Sequence, residues 1–479
     1  MSAPADRIRL SVADFGARPD GSDAVPGLRA AAEACRGRSG VTLVIPPGRY
    51  VCRDPDAVAA YAEILATRPP MDFPVGPDRD PYRAIMVFVG CRDLRIEAAG
   101  AMLEVHGLIQ PVEFTDCADA VLVGLGIAWD RDLAEMRARR CHNYRPAVFL
   151  HRSRGVVLES VRIHAASGMG LIAQRCTDVR LDRMRVEPAP GHTLSTVCDA
   201  THFACCAGLI EVVGCHFAGM GDDAINVHGF YLTVTAAIDG RRVAAECRTS
   251  HPQGMVFPVP DPGAGVELVR PDTLLPFATA RLGAVVADRR RWTAELEFPA
   301  GVPGDLRPGD LVADLGAVPA LIFTGNTVRG IRARGALVQT RDALIADNRF
   351  ERCTGTGIVV DTAMGWCESI GARRVRIHRN RILDCGTGTG TYAGACGIAV
   401  LAECPVAVPG VHQDIEIHGN EIAGDGTRVA ISVRSARRVD IRGNRANGVT
   451  RLLDLDAAEE VSVVDNRLVS ASEMPWIHA

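Results

Sequence analysis

Short stretches in which apolar and polar residues alternate recur along this chain at a nearly constant spacing. Two copies are Val-Val-Leu-Glu-Ser-Val-Arg-Ile at 156–163 and Val-Arg-Leu-Asp-Arg-Met-Arg-Val at 179–186, and the pattern returns at 377–382, 415–422 and 439–444. Alternation with a period of two residues is typical of β-strands. Because the copies lie 22 to 24 residues apart where the loops are short, we predict a solenoid in which each repeat is one coil.

One position of the repeat indicates which kind of solenoid this is. It holds small or apolar residues in the early copies and asparagine in the later ones: Val161, Met184, Cys215, Asn326, Asn348, Asn380, Asn420, Asn444 and Asn466. Asparagine tolerates left-handed backbone angles, and its amide can hydrogen-bond to the coils on either side. A leucine-rich horseshoe has a similar period but needs a helical return, whereas the returns here are glycine-rich. The pattern therefore predicts an all-β parallel β-helix, right-handed by analogy with proteins of this kind.

Three segments depart from the repeat. A helical stretch at 27–35 is predicted to cover the first coil, whose strand edges and apolar core would otherwise be exposed. Residues 52–82 form a loop-rich excursion of undetermined role. Cys215 and Asn326 lie 111 residues apart where one coil is expected, and turns between short alternating runs predict a small inserted antiparallel β-barrel. The predicted domains are the cap and first coils (1–229), the barrel (230–318) and the remaining coils (319–479).

Composition and charge narrow the classes of partner. The net charge of −4 is spread along the chain, which argues against the clustered Lys and Arg of a nucleic-acid or anionic membrane surface. No apolar run approaches the ~18 residues of a membrane-spanning helix. The first residues show no apolar signal region, so the expected location is the cytoplasm, or the exterior if a signal was trimmed.

The sixteen cysteines raise the question of disulfides or a bound metal. Many occupy repeat positions, where they are predicted to be small, buried and reduced side chains; examples are Cys176, Cys205, Cys215, Cys353 and Cys385. No pair has the Cys-x-x-Cys spacing of a zinc site. We therefore expect neither a metal nor another cofactor.

The candidate chemistry is concentrated between residues 199 and 228. Asp199 and Asp222 are 23 residues apart, nearly one coil, and Asp223 follows directly. Adjacent coils lie about 4.8 Å apart, so Asp199 is predicted to stack beneath the other two aspartates. Like charges held together raise at least one carboxyl pKa, which separates a protonated acid from ionised partners. Glycosidic cleavage requires such a combination.

Each of these residues also has a simpler interpretation. Gly-Asp-Asp is common in turns, clustered carboxylates can bind calcium, and isolated histidines are usually structural. Stacking in register favours a functional interpretation instead. Alternation along the strand places Ile225 and Val227 toward the core. Asn226 and His228 are therefore expected on the outer face, beside the aspartates.

Longer motifs surround these residues: His192-Thr193, Asp199-Ala200-Thr201-His202-Phe203, Asp222-Asp223-Ala224-Ile225-Asn226-Val227-His228-Gly229 and Trp366-Cys367-Glu368-Ser369. Together they resemble glycoside hydrolase family 110, the inverting α-1,3-galactosidases that release terminal galactose from branched or linear blood-group-B-like structures. The predicted cap and barrel also fit that family, so the resemblance extends over nearly the whole chain. One departure is Cys367, which stands where the family has tyrosine.

The resemblance implies that Asp199, Asp222 and Asp223 are catalytic, with one as general acid and one or two activating water. Analogy with pectinase-like hydrolases makes Asp222 the acid. Residues implied in substrate binding are His192, His202, Asn226, His228, Trp366 and Glu368. Of these, the tryptophan would stack on galactose and the glutamate would accept hydroxyl hydrogens. The implied partner is an oligosaccharide or glycan, and a homodimer is compatible with the sequence.

Other functions stay open at this point. One alternative is another β-helix carbohydrate-active enzyme, such as a different α-glycosidase, or a lyase or epimerase acting on uronates. Lyases and epimerases need a cationic groove, against which the acidic cluster argues. A second alternative is a glycan-binding β-helix without catalysis. The sequence does not decide the linkage, the need for a fucosylated branch or the assignment of acid and base.

Overall fold

The computed structural model describes residues 7–67, 83–131, 133, 146–248, 255–390, 394–424 and 426–478. The chain divides into two compact units, the first formed by Met1–His202 with Leu209–Ala224 and the second by Phe203–Gly208 with Ile225–Ala479. Parallel strands stacked in ladders dominate both units. The predicted all-β fold, a parallel β-helix, is confirmed.

Strands of the first unit form three parallel ladders, one on each side of the coil. In chain order the strands are β1 (Ile8–Ser11), β2 (Ser39–Val44), β3 (Gly48–Cys52), β4 (Ala84–Val89), β5 (Arg92–Glu97), β6 (Ala101–Val105), β7 (Gln110–Thr115), β8 (Ala118–Val123), β9 (Gly126–Trp129), β10 (Val148–His151), β11 (Arg154–Glu159), β12 (Arg162–Ile163), β13 (Leu171–Gln174), β14 (Thr177–Asp182), β15 (Arg185–Val186) and β18 (His216–Ala218). Between the last two lie β16 (Thr201–Ala204) and β17 (Ala207–Val213), which contain residues of both units. The ladders run β2-β5-β8-β11-β14, β4-β7-β10-β13 and β3-β6-β9-β12-β15-β18.

Apolar residues in register build the core of this unit. Val156 pairs with Val179 and Leu158 with Leu181, and all four side chains are buried. Since successive residues of a strand point to opposite faces, the polar residues between them face outward. The period-two pattern of the sequence is thus converted into one continuous apolar stack.

The predicted N-terminal cap is α1 (Val25–Cys35), which packs against β4. Its buried face is formed by Val25, Leu28, Ala31, Ala32 and Cys35, the spacing of an amphipathic helix. At Gly27 a Cβ atom would lie 2.3 Å from the backbone nitrogen of Ala17, so only glycine allows this close approach. The helix therefore covers the end of the ladder, as the sequence predicts.

A second helix, α2 (Pro55–Thr67), occupies part of the segment 52–82. The prediction of a loop-rich excursion is wrong for this part, and residues 68–82 lie outside the described residues. Asp54 accepts hydrogen bonds from the backbone N–H groups of Asp56 and Ala57 at 3.1 and 3.0 Å, which caps the helix. Among the described residues, no helix is long and apolar enough to cross a membrane.

Three ladders recur in the second unit, which also contains an antiparallel sheet. In chain order its strands are β19 (Ile225–Ala237), β20 (Arg242–Glu246), β21 (Gly265–Val269), β22 (Pro276–Arg281), β23 (Val285–Asp288), β24 (Thr293–Glu297), β25 (Leu311–Asp314), β26 (Ala320–Thr324), β27 (Thr327–Ile331), β28 (Ala336–Val338), β29 (Arg341–Ala346), β30 (Arg349–Cys353), β31 (Ile358–Val360), β32 (Glu368–Ser369), β33 (Arg373–His378), β34 (Arg381–Leu383), β35 (Ile398–Val400), β36 (His412–His418), β37 (Glu421–Ala423), β38 (Val429–Arg442), β39 (Arg445–Asn447), β40 (Arg451–Val464) and β41 (Arg467–Leu468). Its ladders run β26-β29-β33-β36-β38-β40, β19-β28-β31-β35-β38-β40 and β27-β30-β34-β37-β39-β41.

The repeated asparagines form the predicted ladder at one corner of the second unit. The Nδ2 group of Asn380 donates to Oδ1 of Asn420 at 3.0 Å and to the Ile345 carbonyl at 2.9 Å. Its own Oδ1 accepts from the backbone N–H and the side-chain amide of Asn348 at 3.1 and 2.9 Å. The same contacts repeat along a chain of six residues: Asn326, Asn348, Asn380, Asn420, Asn444 and Asn466. Each buried amide thereby satisfies the polar groups of the next coil.

The antiparallel sheet lies within the segment predicted to be a β-barrel. Its strand order is β23-β24-β20-β19-β25-β21-β22. Between the two outer strands, Leu282 N–H donates to the Ala264 carbonyl beside β21 and Gly283 N–H to the Glu297 carbonyl of β24. The connection between β22 and β23 is thus hydrogen-bonded beside β21 and to β24, the neighbours of the two outer strands. The division into domains at 229/230 and 318/319 stays a prediction.

The cysteines follow the sequence expectation closely. Fifteen are described, and thirteen of these are buried. Of the five named examples, Cys176, Cys215, Cys353 and Cys385 are buried, whereas Cys205 is half-buried. Burial raises the pKa of Cys176 and of Cys215 to about 12 in each case, so both are neutral core side chains at physiological pH.

Candidate active site

Asp199, Asp222 and Asp223 meet in the first unit, where consecutive coils stack. The backbone N–H of Ala200 donates to the Asp223 carbonyl at 2.9 Å, and that of Thr201 donates to the Ala224 carbonyl at 3.1 Å. This register pairs Asp199 with Asp223, so the offset between the coils is 24 residues. The predicted offset of 23, which stacked Asp199 on Asp222, is wrong by one residue, but the predicted convergence of the three aspartates is correct. One carboxylate oxygen from each lies within 4.8 Å of the others.

The three carboxylates differ in burial and in hydrogen bonding. Asp199 is 4% exposed and Asp223 is 1% exposed, whereas Asp222 is half-buried. Asp199 Oδ2 accepts from Nδ1 of the buried His202 at 2.7 Å, and its Oδ1 accepts from the Asp223 N–H at 3.2 Å. Both oxygens of Asp199 are therefore held in place. Asp222 is the aspartate most accessible to a molecule arriving from solvent.

This arrangement suits two kinds of chemistry. Two hydrogen bonds of about 2.8 Å from one water span roughly 4.4 Å between their acceptors, so the observed separation lets two carboxylates orient one water. The same three oxygens also match the preference of hard cations such as Ca²⁺ for oxygen ligands. We call Asp199, Asp222, Asp223 and His202 the aspartate cluster.

A second polar group lies within the second unit, at the start of β19. There β32 pairs antiparallel with β19, which sets Glu368 opposite Phe230 and Ser369 opposite Gly229. Asn226 Nδ2 donates to Glu368 Oε1 at 3.4 Å, and His228 Nε2 lies 3.7 Å from the same oxygen. Asn226 and His228 of the Asn-Val-His-Gly motif and Glu368 of the Trp-Cys-Glu-Ser motif are thus brought together.

Burial of Asn226 and His228 differs from the sequence prediction. Alternation predicted both on the outer face, yet both are buried. β19 continues from the coil into the antiparallel sheet, and β32 pairs alongside it, which brings Glu368 within 3.4 Å of Asn226 and 3.7 Å of His228. His228 Nδ1 lies 2.7 Å from the Gly229 carbonyl; because a carbonyl only accepts, Nδ1 carries the proton. Nε2 is thereby directed toward Glu368.

Gln339 completes this group and was missed by sequence reasoning. It follows β28 directly and is buried. Its Nε2 donates to Glu368 Oε2 at 2.5 Å and to Asn226 Oδ1 at 3.4 Å, while its buried Oε1 has no hydrogen-bond partner among the described residues. We call Asn226, His228, Gln339 and Glu368 the amide–carboxylate cluster. A weak signal exists in the sequence. Val338 pairs with Val227 on the neighbouring coil, so Gln339 is a polar residue at the position that His228 occupies there.

Two further carboxyl groups of the second unit interact with Glu368. Asp361 follows β31 at the position equivalent to Gln339. Burial raises its pKa well above the usual value, and the charge of Glu403 adds to this. Burial also raises the pKa of Glu403; Arg334 opposes that shift and Glu368 adds to it. Sequence reasoning missed both groups, which are protonated more readily than ordinary carboxyls.

The raised pKa of Asp361 predicts a pH-dependent stability. A carboxyl that binds its proton more tightly when folded contributes stability below its unfolded pKa, and this contribution is lost as pH rises through the folded pKa. Asp361→Asn removes the ionisable group. As the pH rises from 5 to 8, the melting temperature of this variant minus that of the parent chain is therefore expected to increase. Thermal denaturation at a series of pH values measures this difference.

Asp342→Asn is the matched control. The pKa of Asp342 is lowered by its hydrogen bond with Arg374, so removing this carboxylate should produce no gain at high pH. A constant difference between Asp361→Asn and the parent chain across this pH range would contradict the prediction.

The remaining predicted residues are placed as follows. His192 is exposed and lines a surface groove of about 580 Å³ together with Arg49, Glu104 and Trp129; the aspartates are not part of that lining. Trp366 ends a short 3₁₀ turn, Met364–Trp366, and is 42% exposed. The adjacent Cys367 is buried in a left-handed conformation. The Trp366 indole is thus available on the surface.

Comparison with known proteins identifies similar sequences in three bacterial species. Alpha-1,3-galactosidase B of Phocaeicola vulgatus is 31% identical over 277 residues, which are 54% of this chain and 46% of that protein. The enzyme of the same name from Bacteroides fragilis is 33% identical over 276 residues, 54% of this chain and 45% of that protein. Alpha-1,3-galactosidase A of Akkermansia muciniphila is 29% identical over 288 residues, 59% and 46% of the two chains. The chain thus spans about half the length of the curated relatives it matches.

Solved structures with a similar backbone fold have low sequence identity to this chain. The catalytic domain of a family 87 α-1,3-glucanase with bound nigerose has a TM-score of 0.48 and 8% identity, covering 98% of this chain and 70% of that one. The A-module of the mannuronan C-5 epimerase of Azotobacter vinelandii has a TM-score of 0.45 and 12% identity, covering 95% and 100%. No family model matches the chain. The resemblance to α-1,3-galactosidases predicted from the sequence motifs is confirmed by the curated relatives.

Proposed function

We propose that this chain is a glycoside hydrolase that removes terminal α-1,3-linked galactose from an oligosaccharide or glycan. The observation that carries the proposal is the convergence of Asp199, Asp222 and Asp223 within 4.8 Å. Cleavage of a glycosidic bond needs one carboxylic acid to protonate the leaving oxygen and one carboxylate to activate water. The similarity to named α-1,3-galactosidases supports galactose as the sugar.

The burial of each aspartate supports a division of roles. Asp222 is the most accessible of the three, which suits the acid that must reach the glycosidic oxygen. Asp199 and Asp223 are buried on consecutive coils, and Asp199 is oriented by His202. We assign these two to the water, because paired acceptors fix its position before the reaction begins.

The stereochemical course is proposed to be inversion, so β-galactose forms first. A second candidate, retention through a covalent galactosyl–aspartate, is favoured by one observation. Oxygens within 4.8 Å lie nearer the ~5–5.5 Å carboxyl separation of retaining enzymes than the ~6.5–9.5 Å usual for inverting ones. Inversion is retained as the main proposal because two of the three carboxylates can hold the water between them.

We propose that the amide–carboxylate cluster and Trp366 bind the sugar. Glu368 and Asn226 present acceptors and donors suited to hydroxyl groups, and Gln339 fixes Glu368 by a hydrogen bond. Trp366 exposes an indole face of the kind that stacks on the apolar side of a pyranose. These groups match the usual composition of a ligand site, in which few placed polar groups accompany an aromatic surface.

Gln339→Leu tests the binding role. Loss of a hydrogen bond to a charged group costs about 1.5–3 kcal/mol, so kcat/KM for an α-galactoside is expected to fall about 10- to 150-fold. Steady-state kinetics measure the effect, with the melting temperature recorded to verify folding. Gln413→Leu is the matched control, because Gln413 bonds to Gly410 and Arg438 outside the cluster. An unchanged kcat/KM in Gln339→Leu refutes the role.

The function itself is tested with a panel of α-galactosides of different linkage, with and without a fucosylated branch. Release of galactose from α-1,3-linked substrates is expected, and cleavage of another α-glycoside in its absence overturns the proposal. Proton NMR of the first-formed product distinguishes the two stereochemical courses. A first-formed α-galactose establishes retention, and a first-formed β-galactose establishes inversion.

A further inference from the structure

Two histidines and two acidic residues gather on the outer face of the second unit. His378 at the end of β33 pairs in register with His418 at the end of β36. Glu416 lies two residues before His418 on the same strand, so the two side chains share one face. Asp440 of β38 pairs with Glu416 on the next coil. This group lies at the edge of a surface groove of about 600 Å³ that Glu416 and Asp440 help to line.

The side chains approach each other closely. The imidazole rings of His378 and His418 are stacked, with 4.9 Å between their centroids and 6° between their planes. His378 Nε2 lies 3.3 Å from Glu416 Oε2, and His418 Nε2 lies 3.1 Å from Asp440 Oδ2. One ligand-capable atom from each of His378, Glu416 and His418 lies within 4.8 Å of the others.

Two atoms of this group are buried without a hydrogen-bond partner among the described residues. They are Nε2 of His378 and Oδ1 of Asp440. Buried polar atoms are normally paired, and each unpaired one costs free energy. A bound cation provides the missing partner for both kinds of atom, since a neutral imidazole nitrogen and a carboxylate oxygen are both metal ligands.

We propose that His378, Glu416 and His418 bind a divalent transition metal of the Zn²⁺ class, with Asp440 as fourth ligand or as the acceptor that orients His418. Imidazole and carboxylate ligands together select such metals, whereas Ca²⁺ and Mg²⁺ prefer oxygen alone. The aspartate cluster offers three carboxylates and therefore suits Ca²⁺ or Mg²⁺ instead. The two groups are therefore separable by the metal that each prefers.

Charges of both signs surround the group. Glu416 and Asp440 carry two carboxylates, and three arginines lie near them; Arg442 lies 3.4 Å from Asp440 Oδ2, whereas Arg379 is paired with Asp347.

Binding requires a modest adjustment of the side chains. Zinc bonds imidazole nitrogen at about 2.0–2.1 Å, so tetrahedral ligands stand roughly 3.4 Å apart. The stacked rings must turn toward the cation to reach this spacing. Both imidazoles are only part-buried, which leaves room for rotation about the side-chain bonds without moving either strand.

The test is calorimetric titration of the full chain, without a polyhistidine tag, with Zn²⁺ in chelator-free buffer. One high-affinity equivalent is expected in the parent chain, and His378→Gln and His418→Gln are each expected to weaken it at least tenfold. His192→Ala, which removes an exposed histidine elsewhere, should leave the affinity unchanged. Circular dichroism verifies that the variants fold. Absence of zinc binding in the parent chain, or an affinity in both glutamine variants equal to that of the parent chain, overturns the proposal.

Zinc X-ray absorption provides a measurement that does not depend on the variants. Two imidazole nitrogens at about 2.0–2.1 Å are expected in the first shell. A shell of oxygen atoms alone overturns the proposal and indicates that zinc occupies the aspartate cluster. Asp223→Asn is the matched variant for that outcome, because it removes one carboxylate of the aspartate cluster and leaves His378 and His418 intact.

Discussion

Asp223→Asn is expected to lower kcat for an α-1,3-galactoside by about 10²- to 10⁴-fold, the range usually supplied by a positioned acid or base. Asparagine keeps the size of the side chain and its hydrogen-bonding geometry but cannot take a proton from water. Because Asp223 is buried and stacked on Asp199, no other side chain can move into its place without disturbing the coil. Steady-state kinetics on the purified variant measure the loss.

The three aspartates are expected to respond differently to chemical rescue. An acid variant recovers on a substrate whose leaving group departs without a proton, such as a dinitrophenyl galactoside. A variant of the water-holding pair recovers with azide, which attacks without a base. We expect the first behaviour from Asp222→Asn and the second from Asp223→Asn. The reverse pattern would exchange the assigned roles.

Asp116→Asn is the control for this series. Asp116 is exposed and adopts a φ of 53°, a left-handed conformation that asparagine also tolerates. Its activity should equal that of the parent chain. If Asp222→Asn and Asp223→Asn both keep full turnover, catalysis does not take place at the aspartate cluster. If the parent chain binds galactosides without cleaving any, the chain is a glycan-binding protein instead.

Asn380→Ala is expected to reduce the free energy of unfolding by about 3–5 kcal/mol, because buried polar groups left unpaired cost about 1–3 kcal/mol each. The substitution removes both bonds that Asn380 accepts from Asn348 and both that it donates, to Ile345 and Asn420. Water cannot easily replace them, since the side chain is fully buried. Urea denaturation followed by circular dichroism measures the change.

Asn466→Ala serves as the comparison within the same ladder. Asn466 is the last asparagine of the series and is half-buried, so solvent can satisfy some of the groups that it leaves. A clearly smaller destabilisation is therefore expected. Equal effects at the two positions would mean that the ladder contributes through backbone conformation rather than through buried hydrogen bonds.

Local patterns in the sequence predict those features that a single coil determines. The alternation at 156–163 and 179–186 predicted β11 and β14, and the asparagine positions predicted the ladder, because each depends only on residues within one repeat. The helix α2 was also predictable in principle, since Asp54-Pro55 is a helix-start signal: aspartate caps, and proline suits the first turn. That signal was outweighed by the many turn-forming residues that follow.

Features that depend on distant segments could not be predicted in this way. The offset of 24 residues between Asp199 and Asp223 is set by how the loop at 187–192 is accommodated, which no repeat specifies. The position of His228 beside Glu368 depends on β32, a strand more than a hundred residues later that pairs with β19. Gln339 gains its importance only through contacts with Asn226 and Glu368, and its own sequence context resembles an ordinary strand end.

The asparagine ladder has a consequence for how such a chain can change in length. Each asparagine of the ladder donates a hydrogen bond to the asparagine of one neighbouring coil and accepts one from the asparagine of the other. Any two asparagine-bearing coils can therefore pair in the same way. Duplication or loss of one whole coil between Asn348 and Asn444 would restore the same pairing at the new junction. The earlier coils carry Val161, Met184 and Cys215 at this position, whose side chains offer no such amide. Tolerance to gain or loss of coils is therefore expected to be confined to the asparagine-bearing part of the solenoid.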